Sequence, residues 1–244
     1  MIILKPLPFE EAIEAFKGLV PMTAGEFYAL EEAMRAKAFT VTGVMRMDVL
    51  VDMHGAIEKA ISDGETLADF RNRIDEIFET RGWTAPPDFT PWRLETIFRT
   101  NVQTSYTTGR YKQMVDQKDA FPYWEYDAVN DSRTRPSHAA LDGKIFPAND
   151  SFWDTWYPPN GYNCRCGVNP VSKYEAENET IETEDPTNSL IEPIDPVTGE
   201  KMPARQLIPD PGWDHNPAKV KWQPDLGKYP KELREQFEAT NVHE

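Results

Sequence analysis

Helical periodicity runs almost without a break from about residue 8 to residue 118 and then stops, and this change of pattern constrains the fold more than any other feature. Within the helical part each stretch carries its own start or stop chemistry. Thr23 and Glu26 have the spacing of a capping box and precede Phe27, Leu30 and Met34 at helical intervals, which predicts one helix through those positions. Met47, Leu50, His54, Ile57 and Ile61 form a second apolar stripe, ended by the Ser62–Gly64 turn. Leu67, Phe70, Ile74 and Ile77 form a third, closed by Gly82. His54, lying on a stripe, reads as part of a packed face rather than as a ligand. Thr90 as N-cap and Pro91 at the first helical position open the next helix, with a buried side predicted from Leu94, Ile97, Phe98, Val102 and Tyr106. It should be the longest in the chain.

After Lys118 the signals are those of short strands and turns. "FPYWEYDAV" is aromatic, β-prone and partly alternating, so it reads as a strand. "KIFP" and "CRCGVNPV" read as two more, with "RPSHAAL" a short helix or turn between the first two. "LDGK" and "PPNGYN" supply the reversals. Beyond Ser172 the chain is rich in proline and acidic residues with few periodic apolar positions, the composition of an extended arm. Trp213 and Trp222 would anchor that arm on a partner or on its own domain, and "KELREQFEATN" predicts a short terminal helix. The expected architecture is α+β: a helical region 1–118, a small β-containing, turn-rich core 119–172, and an acidic proline-rich arm 173–244.

The charge balance narrows the partners. Among 244 residues, 26 basic against 41 acidic side chains give a formal charge of −15, which repels phosphate backbones and argues against strong direct nucleic-acid binding. A membrane span needs roughly 18 to 20 consecutive apolar residues, and no stretch approaches that. The beginning "MIILKPLPFEEAIEAF" has neither a basic leader nor a small-residue cleavage site, so the chain is expected to stay in the cytosol where it is made.

One segment gathers the chemistry. Asp131, Arg133, Arg135 and His138 fall within eight residues, and the only two cysteines, Cys164 and Cys166, follow about 25 residues later. A Cys-x-Cys ring is too tight for a relaxed disulfide. Placed on a strand, the two thiols would share a face and could converge with His138 on a tetrahedral zinc ion, with Asp131, Asp142 or water as the fourth ligand. Two other readings stand beside it. His138 and the cysteines can be ordinary core side chains, with Arg133, Arg135 and Arg165 pairing to Asp131 or Asp142. Alternatively, His138 can act as a general base and a thiolate as a nucleophile, in a metal-dependent hydrolase or nuclease. No phosphate loop, His-Glu-x-x-His helix or nucleophile elbow accompanies them.

The ordered set "RTNVQTSYTTGRYKQM", "DSRTRPSHAALDGKIF" and "PPNGYNCRCGV" resembles the bacteriophage Mu F-like minor head protein family, also called phage head morphogenesis proteins, over about residues 50–172. The later "DPGWDHNP", Asp210–Pro217, resembles a motif that follows the core in the Mu-like branch. Asp131, Arg135, His138, Asp142, Gly143, Pro159, Cys164, Arg165 and Cys166 fall on the signature positions. Gly161 departs from the pattern, since many relatives have "PPNHxNCRC"; if that histidine binds metal in them, a site here has one ligand fewer. The resemblance implies a minor capsid protein of a tailed phage or prophage with no secure catalytic activity, and with no enzyme cargo in the arm of this chain. It also implies docking at the portal vertex or inner head surface during procapsid assembly, in the host cytoplasm, and a part in DNA packaging or ejection. The implied partners are portal protein and, further, scaffold or coat protein.

Overall fold

In the computed structural model of the chain, residues 8–30, 32–219 and 231 are described. Trp222 and the expected terminal helix lie outside the described residues. The mixture of helices and small sheets is α+β, and the chain divides into two compact units, one ending at Gly109 and one spanning Arg110–Lys219.

The first unit is built on amphipathic helices. Helix α1 (Glu10–Lys17) leads to strand β1 (Val20–Pro21), helix α2 (Ala24–Ala29), a 3-10 helix (Glu32–Lys37) and strand β2 (Ala38–Phe39), which pairs in parallel with β1. Helices α3 (Met47–Asp63), α4 (Leu67–Arg81) and the first part of α5 (Pro91–Asp116) follow. Thr23 and Glu26 form the expected capping box, but the helix they start ends at Ala29, and Leu30 is already extended. Met34 therefore belongs to the 3-10 helix, not to one helix with Phe27. The predicted stripes of α3 and α4 hold: Leu50, Ile57, Phe70 and Ile74 are fully buried, together with Phe16, Phe39, Val49 and Met53. At about 1.5–3 kcal/mol for each large apolar side chain removed from water, this cluster is the main source of the unit's stability. Between α3 and α4 the chain turns at Gly64, whose φ of 69° is left-handed, and Thr66 and Asp69 cap each other reciprocally.

His54 sits in that packed face, as its stripe predicts. Its ring stacks on Phe16 at 4.5 Å, Nε2–H donates to the Phe16 carbonyl at 3.2 Å, and burial pulls its pKa down to about 4. The predicted buried side of α5 holds in its first turns, is only half-buried at Val102 and fails at Tyr106. Leu94, Ile97 and Phe98 face the core, whereas Tyr106 is exposed and meets the edge of Phe9. The turn around it buries Ser105, Thr107 and Thr108 instead, and a Cβ on Gly109 would stand 2.6 Å from the Ala12 amide nitrogen. Only a stripe of small residues lets α1 approach α5 so closely.

The second unit is organised by aromatic side chains. It contains the last turns of α5, strand β3 (Tyr123–Asp127), helix α6 (Pro136–Ala139), strand β4 (Ile145–Pro147), helix α7 (Phe152–Thr155), strand β5 (Gly167–Val171) and helix α8 (Lys173–Ala176). A hairpin of β6 (Leu190–Ile191) and β7 (Arg205–Gln206) closes it. The antiparallel sheet has the order β4–β3–β5, and the alternation of β3 sends Trp124 and Tyr126 into a core with Phe146, Phe152, Trp153, Trp156 and Tyr157. Strand β5 starts later than expected. Its ladder begins with Gly167 opposite Asp127, the last residue of β3, so the two cysteines precede the strand.

The described part of the expected arm returns to this unit. Leu207 is buried in its core, Ile191 packs against it, and the Thr187 hydroxyl accepts a hydrogen bond from Trp156 Nε1 at 2.8 Å. Asn216, 2% exposed, donates to the Trp153 carbonyl at 3.0 Å. A proline-rich, acidic stretch can pack in this way because the contacts are few and largely hydrogen-bonded. Among the described residues no helix is long and apolar enough to cross a membrane.

Candidate metal centre

Two loops bring the singled-out residues together, and each loop is closed by its own hydrogen bonds. The loop between β3 and α6 is tied to the turn after α6: the Asp142 carboxylate accepts from the Ala128 amide at 2.8 Å and from Asn130 Nδ2 at 2.5 Å, while Gly143 N–H donates to the Tyr126 carbonyl at 2.9 Å. Asp142 and Gly143 thus make the turn that "LDGK" predicts. Helix α6 begins with Pro136 after Arg135 and carries His138 inward, to 2% exposure. In the second loop, the cis Pro158–Pro159 bond precedes Asn160, which is fully buried. Asn160 accepts from the Tyr126 hydroxyl at 3.1 Å and donates to the Thr155 carbonyl at 3.1 Å. Cys164 N–H then donates to the Gly161 carbonyl at 3.1 Å.

These supports aim three soft donors at one point. His138 Nδ1 lies 3.8 Å from Cys164 Sγ and 3.4 Å from Cys166 Sγ, and the three ligand atoms all fall within 4.8 Å of one another. All three side chains are buried. The expectation that they share a strand face is corrected: both cysteines lie in the irregular segment before β5, outside its ladder, with their sulfurs buried. The backbone amides of Asn160 and Val129 hydrogen-bond Cys164 and Cys166 respectively. The Cys164 thiol is drawn down to about 4, first by the hydrogen bond from Cys166 and then by His138, against the opposing effect of burial. Cys166 is pushed up, first by its hydrogen bond to Cys164, then by burial, and then by the negative charge of Cys164 beside it.

The neighbouring charges are already paired. Arg165 holds Asp131 through two bonds of 2.8 and 2.6 Å, and this pairing, with the Arg133 amide, keeps the Asp131 carboxyl well below the usual carboxylate range. Neither Asp131 nor Asp142 joins the His138 cluster, so neither is the fourth ligand considered from the sequence. Arg135 donates to the Tyr162 carbonyl and forms a 2.7 Å ion pair with Asp210. That pair occupies the space beside Gly161: a Cβ there would stand 2.9 Å from the Arg135 guanidinium and collide with the Asp210 carboxylate. The departure at Gly161 and the "DPGWDHNP" motif are thus two halves of one contact. Trp213 in that motif packs its ring on Tyr162 at 5.1 Å, an anchor on its own unit. Sequence reasoning missed Tyr126 and Asn160, whose roles depend on a hydrogen bond spanning 34 residues with no local signal.

Residues 52–169 match the family model described as Phage Mu protein F like protein, a stretch containing His138, Cys164 and Cys166. The chain is 32% identical to a protein of Escherichia phage Mu named as capsid assembly protein F, over an alignment of 268 residues that covers 96% of this chain and 61% of that protein. It is also 32% identical to the Mu-like prophage FluMu F protein of Haemophilus influenzae, over 89% of this chain and 60% of that one. The chain therefore spans about three fifths of the length of these two relatives. No solved structure matches it.

Proposed function

Because this chain belongs to the Phage Mu protein F like family through residues 52–169, we propose that it is a minor capsid protein acting in head morphogenesis of a tailed phage or prophage. In this reading it docks at the portal vertex or inner head surface during procapsid assembly and aids DNA packaging or ejection. The single observation that carries the proposal is the similarity over 96% of the chain to a protein named for capsid assembly. Physical features favour a docking role. The carboxylates beside the donor cluster are engaged in ion pairs or turn hydrogen bonds, which leaves the centre suited to holding loops together. A net charge of −15 suits a basic patch on portal, scaffold or coat protein and disfavours adhesion to packaged DNA. Affinity purification of portal protein from procapsids tests the proposal: this chain should co-purify, and its absence from both procapsids and virions overturns it.

One observation favours a second reading. Three protein donors is the ligand count of many hydrolytic zinc centres, so a metal-dependent hydrolase or nuclease using His138, Cys164 and Cys166 is the alternative. Such chemistry also needs a general base, and Asp131 is occupied by Arg165. Zinc-loaded protein that cleaves neither DNA nor peptide sets this reading aside.

A further inference from the structure

We propose that His138 Nδ1 and the sulfurs of Cys164 and Cys166 bind one zinc ion, with solvent as the fourth donor, and that the ion joins the two loops of the second unit.

The spacing fits the ion. Zinc–sulfur and zinc–nitrogen bonds of about 2.3 and 2.0–2.1 Å, at tetrahedral angles, place sulfur and nitrogen about 3.6 Å apart. The two Nδ1–Sγ separations, 3.4 and 3.8 Å, bracket that value. The donors fit as well: thiolate and imidazole are the ligands zinc takes most readily in structural sites, and two thiolates with a neutral imidazole balance its charge. A cation between the sulfurs also offsets the repulsion that two adjacent thiolates would otherwise have. Backbone amides of Asn160 and Val129 already point at those sulfurs, the outer-shell arrangement that steadies thiolate ligands. No fourth Cys, His, Asp or Glu ligand atom joins the cluster among the described residues, which leaves the last position to solvent. A small cavity lined by the three donors and by Val129, Thr134 and Asn163 among others lies at the same place.

Closed as a set of thiols and imidazole, the same cluster would hold the loops only through sulfur contacts. His138 Nε2 is buried with no hydrogen-bond partner among the described residues, so the ring's polar engagement lies on the Nδ1 side. An ion there connects α6 to the segment before β5, two loops with little regular ladder of their own. Metal binding then contributes directly to the stability of the unit.

The full chain, purified with zinc in the medium and dialysed, should carry one zinc per chain by elemental analysis. Cobalt(II) exchanged into it should show thiolate charge-transfer and tetrahedral ligand-field bands, a readout that requires no variant. Chelation should lower the thermal midpoint and expose two thiols to alkylation, with re-added zinc reversing both. Cys166→Ser and His138→Ala should each lose stoichiometric zinc. The proposal is overturned if the folded wild-type chain has no stoichiometric zinc after zinc supplementation and both thiols react freely, or if Cys164 and Cys166 are found linked to each other. A zinc-free wild-type chain that still co-purifies with portal protein overturns this inference and leaves the assembly role standing. A zinc-loaded chain absent from procapsids and virions does the reverse.

Discussion

His54 shows how burial governs an ionisable side chain. Its place on the apolar stripe of α3 is readable from the sequence; its stacking on Phe16, 38 residues away, is not. Removal from water lowers its folded pKa to about 4, against roughly 6.5 in an unfolded chain. Between those values the unfolded state binds more protons, so folding stability falls as pH drops from about 6.5 towards 4, by on the order of 3 kcal/mol. Urea unfolding from pH 7 to pH 4 should show this loss in the wild type and a shallower slope in His54→Gln; an identical slope would exclude His54 as its source. Gly161 makes the same point without titration. From the sequence it is a departure from a family pattern, and only the fold reveals that Arg135 and Asp210 fill the space a side chain would need.

Among the elements, α5 divides most clearly into legible and hidden parts. Its N-cap at Thr90, Pro91 and the residues Leu94, Ile97 and Phe98 follow from local chemistry and period. Between Ser105 and Gly109 the buried side is polar and small, a pattern that hydrophobic periodicity does not detect, and Tyr106 consequently turns outward. Replacing Gly109 with Ala should cost about 1–3 kcal/mol through overpacking against Ala12, measured as a lower denaturant midpoint. A midpoint unchanged or raised would mean that α1 does not need this approach. The cysteine segment misleads in a similar way. Its alternation and β-prone neighbours resemble a strand, yet β3 ends at Asp127 and offers Cys164 and Cys166 no ladder partner.

For the whole molecule, the largest difference between expectation and structure is the fate of residues 173–219. Composition reads them as an extended arm, and local rules cannot tell a solvated arm from one held by a few distant contacts. Here Leu207, Thr187, Asp210 and Asn216 all return to the second unit. A chain ending at Ser172 would leave the aromatic core around Trp153 and Trp156 partly uncovered and Arg135 without its carboxylate. It should bind a hydrophobic dye and lose near-ultraviolet circular dichroism relative to the full chain; a truncated chain with native dichroism and no dye binding would show these contacts to be dispensable.

The α+β class, the helical first half, the capping box of α2, the stop of α4 at Gly82 and the choice of His138, Cys164 and Cys166 as a candidate cluster follow from the sequence by itself. Each of these rests on short-range periodicity, on side chains within a few residues of one another, or on scarce chemical types. The tertiary structure alone decided that the three donors meet within 4.8 Å, that Asp131 belongs to Arg165 rather than to the cluster, and that Asp210 fills the space over Gly161. These outcomes join residues 26 to 49 positions apart, and such pairings are selected by packing and desolvation over the whole unit, which no local pattern encodes.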